Sequence, residues 1–135
     1  MDLTKGMLQL AVAIDGRFVE YSNDTTILLV PVEEDGCQAV VSQVVNKNGQ
    51  HLYEFSSKAG ELTPGKESHQ VILKLNQELF YSKVIIQDWH LKVAAETLAS
   101  SCTEQLIRDV VIEVATVAYH LEHDEIATPL ATIKA

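Results

Sequence analysis

The sequence predicts an α+β fold, in which helices pack against one face of a single antiparallel sheet. Apolar residues recur at helical spacing near both ends of the chain, from Leu3 to Ile14 and from Leu106 to Leu121. Between them, runs of β-branched residues alternate with short polar turns, a pattern typical of hairpins. The expected order is a helix, a three-stranded antiparallel meander, a helix, a β-hairpin and a long C-terminal helix.

The first helix is predicted from apolar residues at the i, i+4, i+7 and i+8 spacing, which are Leu3, Met7, Leu10, Ala11 and Ile14. Gly16 is placed to end this helix, because glycine readily adopts the left-handed conformation that commonly follows a last turn. An extended segment is expected from Phe18 to Tyr21, before a turn at Asn23 and Asp24.

The meander is predicted from three runs rich in β-branched and aromatic residues, Thr25–Val32, Gln38–Val45 and His51–Ser57. Residues 33–36 form the first turn, and Asn48–Gly49 lies in the second. An Asn-Gly pair favours a two-residue hairpin turn, because both central residues need positive φ. Pro31 has no backbone donor, so its strand is expected at an edge of the sheet or to bend there.

The next segment combines a loop, a helix and a hairpin. A loop is expected over residues 59–66, and Ser68 is placed to cap a second helix. The apolar face of that helix is formed by Val71, Ile72, Leu75 and Leu79. The hairpin is predicted from strands over Phe80–Ile86 and Leu91–Leu98.

The last helix is predicted to begin at a capping box formed by Ser101 and Glu104, and to run to His123. Its apolar stripe comprises Leu106, Ile107, Val110, Val111, Val114, Val117, Ala118 and Leu121. Charged residues, among them Glu113, are expected off this stripe. We expect one domain over residues 1–125 and a flexible C-terminal tail over residues 126–135, which Pro129 interrupts.

Composition and charge restrict the partners and the location. The 135 residues are 47% hydrophobic, which suits one domain with an ordinary core. Ten Lys and Arg against nineteen Asp and Glu give a net charge of −9, which argues against nucleic acid and anionic membranes as partners. No run reaches the roughly 18 apolar residues of a membrane span, and the first residues do not resemble a signal peptide. Cys37 and Cys102 form no CxxC motif, so a cytoplasmic location is expected.

Three features bear on possible chemistry. His120 and His123 are one helical turn apart and are followed by Asp124 and Glu125, a spacing that can chelate a transition metal or can simply be a solvated helix end. Cys102 near a helix N-terminus is expected to be a packed residue rather than a nucleophile. Trp89 lies in a polar turn, where it either anchors a partner or covers the core. No spacing indicates a catalytic acid, base or nucleophile, and neither catalysis nor a tightly held metal or cofactor is expected.

The order of elements and the acidic pI near 4.9 resemble those of the class I type III secretion chaperones and their bacterial relatives, the YbjN-like domains. The short helix Val71–Asn76 is similar to the family's helix with an aliphatic pair and a following Asn. The second hairpin and the closing helix of the family match Phe80–Ile86, Leu91–Leu98 and Thr103–His123. The likeness covers residues 3–125. The first helix is shorter than is usual in the family, and the region 102–121 is nearer to YbjN-like domains.

This resemblance implies a non-enzymatic chaperone-like module that binds a protein or an extended peptide client, because secretion chaperones wrap extended effector segments around their surface. Family members are typically homodimers. Two alternatives stay open: a small metal-dependent sensor or enzyme that uses His120 and His123, and a purely structural subunit of a larger assembly.

Candidate contact residues follow from two further expectations. The stripe of the last helix exceeds what five short strands cover, so a two-fold contact is predicted at Val110, Val114, Val117 and Leu121, unless all four are core. The strand Thr25–Val32 is expected to leave an open sheet edge to which an extended peptide can add, with Ile27, Leu29 and Trp89 as contacts. The rival binding mode places residues 126–133, or a foreign helix, on the last helix.

Overall fold

The computed structural model describes residues 2–61 and 66–123. Its helices are α1 (Leu3–Ile14), α2 (Lys66–Glu78) and α3 (Glu104–Glu122). Its strands are β1 (Arg17–Glu20), β2 (Thr25–Glu33), β3 (Gly36–Lys47), β4 (Gln50–Glu61), β5 (Lys83–Gln87) and β6 (His90–Leu98). All neighbouring strands are antiparallel, in the order β1-β2-β3-β4-β6-β5. The predicted α+β class is therefore confirmed. The expected tail, residues 126–135, lies outside the described residues.

The sheet gains a strand at its β1 edge that the sequence indicated only as an extended segment. Asp15 ends α1 in the left-handed conformation, with φ of 58°, and the chain turns back through Gly16. A Cβ at Gly16 would lie 2.7 Å from the carbonyl oxygen of Leu29, so only glycine allows this close approach to β2. The following residues then pair with β2, from Arg17 opposite Leu29 to Glu20 opposite Thr26.

Strand β4 also continues further than expected. A loop was expected to begin at residue 59, but Ala59 is buried and Glu61 pairs with His90 of β6. A bulge between Lys58 and Glu61, with Gly60 at φ of 95°, lets the strand continue past an irregular position.

The core lies between the inner face of the sheet and α3, with α1 beside it. Helix α3 crosses β4, β3, β6 and β2, so its stripe is enclosed on all sides within one chain. Four residues expected at a surface contact are 0–3% exposed, namely Val110, Val114, Val117 and Leu121. The expectation that they reach the surface is wrong, because the wide sheet and α1 together cover the whole stripe.

The start of α3 differs from the predicted capping box. Thr103 is the N-cap, and its hydroxyl accepts a hydrogen bond from the backbone N–H of Leu106 at 3.1 Å. Ser101 instead ends a short 3₁₀ turn over Ala99–Ser101. This turn redirects the chain after β6, so the helix begins about one half-turn later than the box pattern indicates.

Glu113 is the largest departure from the sequence analysis. It was expected to lie off the apolar stripe, yet Glu113 is only 8% exposed. Its Oε1 accepts hydrogen bonds from the backbone N–H groups of Tyr81 and Ser82 and from the Ser82 hydroxyl, and its Oε2 accepts one from the N–H of Phe80. These distances are 2.7–2.9 Å. Strand β5 therefore begins at Lys83 rather than Phe80, because the preceding amides serve the carboxylate.

Asn76 is the residue that follows the aliphatic pair in the family resemblance. Its side chain bonds the backbone groups of one residue at the edge of β5. Its Nδ2 donates to the carbonyl oxygen of Val84 at 3.0 Å, and its Oδ1 accepts from the N–H of Val84 at 2.7 Å. The side-chain amide thus takes the place of a neighbouring strand. The ammonium of Lys83 donates to the Asn76 carbonyl oxygen at 2.7 Å and holds the end of α2 beside β5.

Replacing Glu113 should separate its role from that of an exposed helix residue. We expect Glu113→Ala to lower the free energy of unfolding by about 3 kcal/mol, because buried N–H donors lose their acceptor. Glu113→Gln keeps one acceptor oxygen and should lose less. Urea titration followed by circular dichroism measures both.

The matched control is Glu104→Ala, on the exposed first turn of α3, for which we expect a loss below about 1 kcal/mol. Equal losses for Glu113→Ala and Glu104→Ala would contradict the assigned role of Glu113.

Candidate partner-binding groove

The outer face of the sheet, opposite α3, carries an apolar area. Ile27 lies opposite Val41, and Leu29 lies opposite Ala39, across the β2–β3 ladder. Side chains alternate between the faces of a strand, and the intervening Leu28 and Val40 are buried. The four residues therefore lie on the outer face, where Ala39 is exposed and the other three are half-buried, and we call them the groove floor.

The groove floor belongs to a cleft of about 870 Å³. Strands β4 and β6 form its other side, where Ser56, Lys58 and Lys92 line it. The end of the cleft is lined by Gly60, Glu61, Asp88, His90 and Glu122. It thus runs from the outer face of the sheet around the ends of β4 and β6 to the last residue of α3. We call this cleft the groove.

The groove exists because β3 and β4 separate at one end. Their ladder extends from Lys47 opposite Gln50 to Val41 opposite Ser56 and stops there, although both strands continue. Beyond that point, side chains replace ladder bonds. Nε2 of Gln38 donates to the hydroxyl of Ser57 and to the carbonyl oxygen of Lys58, both at 2.8 Å. The Ser57 hydroxyl donates to the carbonyl oxygen of Ala39 at 2.6 Å.

This side-chain bridge widens the space between the strands while leaving its own polar groups bonded. Gln38 and Ser57 are 6% and 4% exposed, and a buried polar group without a partner is costly. The carbonyl oxygen of Ala39 faces the opening, so the backbone groups of Cys37, two residues earlier, face it as well. The groove therefore offers main-chain groups beside apolar side chains.

Charge is unevenly distributed along the groove. Lys58 and Lys92 lie directly opposite each other on β4 and β6, an arrangement of like charges that is unfavourable in a sheet. Among the described residues, neither lysine makes an ion pair. The end of the groove carries the carboxylates of Glu61, Asp88 and Glu122. A ligand is thus met by cations in the middle and by anions at one end.

Trp89 stands at this anionic end and is 77% exposed. Its neighbours Asp88 and His90 both line the groove. The two-residue β5–β6 turn places Asp88 at φ of 52° and Trp89 at φ of 65°, a left-handed conformation that is unfavourable for bulky residues. The prediction that Trp89 covers the core is wrong, and an exposed tryptophan held in a strained turn is typical of a contact residue.

Of the predicted contact residues, Ile27 and Leu29 line the groove, and Trp89 lies between Asp88 and His90, which line its end. Their contact role stays a prediction. Sequence reasoning missed the lysines and the Gln38–Ser57 bridge. The alternation of β3 indicated Ala39 and Val41 as one face, but no local pattern shows where two paired strands separate.

The expected open edge along Thr25–Val32 is wrong for half of its length. Strand β1 pairs with β2 from Thr26 to Leu29. The stretch of β2 beyond Leu29 carries no β1 pair, because β1 begins at Arg17. Ile27 and Leu29 are accessible through the outer face and not through a free edge.

The histidines of α3 are held by their surroundings. His120 is 4% exposed, and its Nε2 lies 4.0 Å from Oε1 of Glu33. The His123 ring stacks on Tyr119 with ring centroids 4.1 Å apart. Over the described residues, no three His, Cys, Asp or Glu side chains come together as metal ligands. Asp124 and Glu125 lie outside those residues, so both the metal hypothesis and its negative stay predictions.

Two groups with displaced pKa values do not line the groove. Hydrogen bonds from the hydroxyls of Ser22 and Thr25 lower the pKa of Asp24, which organises the β1–β2 turn. Burial raises the pKa of the Tyr53 phenol. Cys102 is buried, as expected for a packed residue, whereas Cys37 is exposed and lines the groove.

Comparison with known proteins supports the observed fold. The fold is similar to that of one chain in the structure of the heterodimeric complex ExoU–SpcU from the type III secretion system of Pseudomonas aeruginosa. The TM-score is 0.63 at 12% identity, over 90% of this chain and 95% of that chain. No family model and no curated protein matches the sequence. The chain thus has the fold of a type III secretion chaperone, while the YbjN-like resemblance stays a prediction.

One property of the helices bears on location. Within residues 2–61 and 66–123, no helix has both the length and the apolar character needed to cross a bilayer.

Relief of the turn strain should stabilise the protein. We expect Trp89→Gly to raise the free energy of unfolding by about 0.5–1 kcal/mol, because glycine adopts positive φ without the steric penalty of a Cβ. Trp89→Ala removes the ring but keeps the Cβ, and it should give no such gain. Urea titration followed by circular dichroism compares the two variants. Equal stabilities for Gly and Ala at this position would contradict the strain argument.

Proposed function

We propose that the protein is a non-enzymatic, chaperone-like module that binds an extended segment of a partner protein in the groove. The observation that carries this proposal is the groove, which has an apolar floor and whose far end lies beside the strained, exposed Trp89. A fold shared with a chain from a chaperone–effector complex supports it.

The groove suits an extended chain better than a helix or a small molecule. Side chains of a bound strand alternate, so every second residue can rest on Ile27, Leu29 and their neighbours in the floor. The backbone groups of Cys37 face the same space and can bond the main chain of the ligand. Trp89 contributes a large, rigid contact area at the end of the groove.

The charges favour a ligand with a basic end. Glu61, Asp88 and Glu122 form an anionic end, and the whole chain carries −9. Lys and Arg in the ligand would be attracted there, and this attraction weakens as salt screens it. We place the protein in the cytoplasm, where its two unpaired cysteines would stay reduced.

The contribution of the groove floor can be tested with peptides that alternate Val or Leu with Ser and end in Lys. Trp89, the one tryptophan of the sequence, reports binding by its fluorescence. We expect the double variant Ile27→Thr and Leu29→Thr to lower affinity about tenfold or more, because apolar contact area is lost. Threonine keeps the β-branched shape that strands favour.

The control is Val12→Thr on α1, which is 78% exposed and lies on the opposite side of the sheet. Its affinity should equal that of the wild type. Equal affinities for the groove variant and the wild type would place the binding site elsewhere.

We further propose a homodimer, with its contact at the β5 end of the sheet instead of on α3. Exposed apolar side chains are found on β5, just before it and on α2, which packs beside it, namely Ile85, Ile86, Phe80, Tyr81 and Leu73. The backbone beneath them is fixed by Glu113 and Asn76. A rigid apolar surface of this kind is suited to a self-complementary contact.

Light scattering at micromolar concentration should give twice the chain mass of 14.9 kDa. The double variant Phe80→Ser and Ile85→Ser should give the monomer mass, because it removes apolar contact area, whereas Val12→Ser should not. A wild-type monomer under these conditions would contradict dimerisation.

A further inference from the structure

We propose that the outer faces of two copies of this chain pack on each other around a two-fold axis and cover the groove. This inference rests on the proposed function of the groove and adds a competitor that a partner segment must displace. The contact is distinct from the one proposed at the β5 end. Two features of the outer face carry it: a central row of small and apolar residues, and charged rows of opposite sign on its two sides.

The strand registers align one row of residues across the outer face, because residues directly opposite each other in a ladder share a face. From β1 to β6 these residues are Val19, Ile27, Val41, Ser56 and Ala94, and we call them the central row. The row ends on β5 at Lys83, whose ammonium bonds the carbonyl oxygen of Asn76. Ser56 and Ala94 are small, so a second sheet can approach closely over β4 and β6.

The rows on the two sides of the central row carry opposite charges. Two residues along the strands in one direction, Lys58 of β4 lies opposite Lys92 of β6. Two residues in the other direction, Glu54 lies opposite Glu96. We call these the lysine pair and the glutamate pair. The outer face is therefore cationic on one side of the central row and anionic on the other side at β4 and β6.

A two-fold axis along the central row makes this pattern complementary to itself. Rotation about that axis leaves the row facing its own copy and exchanges its two sides. The lysine pair of each copy then faces the glutamate pair of the other, so all of these side chains meet an opposite charge. An axis along the strands would instead place lysine against lysine. The charge pattern thus selects one arrangement of the two copies.

The contacts that the glutamate pair makes within its own chain leave it able to bond a second copy. Oε1 of Glu54 accepts a hydrogen bond from Nε2 of Gln43 at 2.8 Å, and a carboxylate has several acceptor sites. Glu96 lies 3.8 Å from the exposed ammonium of Lys47. An exposed ion pair of this kind contributes little to stability.

The area of the face indicates a weak contact. Six strands about 4.8 Å apart and three shared rows about 7 Å apart give about 500 Å² per copy. A standard interface buries about 800 Å² per partner. The two copies therefore separate readily, which suits a site that a partner segment must reach. Ile27 and Leu29 lie on the shared area and in the groove floor, so the second copy and the segment exclude each other.

A cysteine on the central row reports this contact directly. Ser56→Cys replaces one oxygen by sulfur and is combined with Cys37→Ser, which removes the exposed native cysteine, whereas Cys102 is buried. A bismaleimide that spans about 10 Å, the spacing of packed sheets, should join two copies into a product of twice the 14.9 kDa chain mass. Ser56 lies two strands from β5, so a dimer through the β5 end would hold these thiols about 19 Å or more apart.

The matched control is Val12→Cys, again with Cys37→Ser. Val12 is 78% exposed and lies on α1, on the opposite side of the sheet. This control should give only the product of random collisions. Equal cross-linking of the Ser56→Cys and Val12→Cys proteins would overturn the inference.

Charge reversal tests the axis. With Ser56→Cys in place, one variant carries Lys58→Glu and Lys92→Glu, and the other carries Glu54→Lys and Glu96→Lys. Each variant alone places like charges against each other, and we expect its cross-linking to fall about tenfold or more. A mixture of the two restores opposite charges, so a product of mixed mass should form, and circular dichroism verifies that both are folded. Cross-linking that neither reversal lowers, or that the mixture does not recover, would contradict the arrangement.

The peptides described above separate this inference from the proposed function. Bound peptide should suppress the cross-link at Ser56→Cys, and a cross-link that it leaves unchanged would contradict the covering of the groove. Peptide binding that depends on Ile27 and Leu29, without a cross-link, would reject the two-fold contact alone. A charge-dependent cross-link with no peptide binding in any variant would reject the proposed function and leave the contact in place.

Discussion

The carboxylate of Glu113 joins the helical layer to the far end of the sheet, and the position of the second hairpin depends on it. A buried carboxylate is unfavourable unless several donors replace its water. Here the three successive amides of residues 80–82 and the Ser82 hydroxyl supply these donors. The chain must therefore leave α2 in one extended conformation. Asn76 fixes the next step, because its amide bonds both backbone groups of Val84.

This constraint extends to the groove. With β5 held by Glu113 and Asn76, the two-residue turn to β6 lies at the end of the groove, where Asp88 and His90 line it and Trp89 stands between them in the chain. A tryptophan at positive φ is tolerated only where the surrounding structure determines it. The hydrogen bonds of residues 80–84 fix the strand that leads into this turn. A residue buried on the inner side of the sheet thus helps to position the exposed Trp89.

The described region of the fold is predictable where periodicity and turn chemistry decide it. The spacing of Leu3 to Ile14 and the Asn48–Gly49 turn indicated α1 and the β3–β4 hairpin. The same reasoning fails where a partner distant in sequence decides. Glu113 lies off the ideal stripe, and nothing near it in sequence shows that amides 31–33 residues away need an acceptor. Strand β1 depends likewise on the close approach of Gly16 to Leu29.

The candidate site was predictable in its residue types but not in its geometry. Ile27, Leu29 and Trp89 were identified as contact residues. The ligand was expected to add to a free edge of β2, but β1 pairs with that edge. Val110 and its neighbours in the stripe were assigned to a surface because the expected sheet had five strands. Helix α1 and the four strands that α3 crosses, β2, β3, β4 and β6, enclose them. The width of a sheet depends on which strands pair, and the apolar stripe of one helix does not indicate this pairing.

The separation of β3 from β4 is the strongest structural indication that the groove has a function. The β3–β4 ladder ends at Val41 and Ser56, and each further ladder bond would contribute to stability. The chain instead has Gln38 and Ser57 there, both buried and bonded across the opening. Elsewhere on the inner face a buried polar pair, Thr26 and Ser42, bonds across a ladder that stays closed. A polar pair alone therefore does not force neighbouring strands apart. The hydrogen bond from the Gln38 amide to the Lys58 carbonyl oxygen spans the gap between β3 and β4. This gap deepens the groove on the outer face of the sheet.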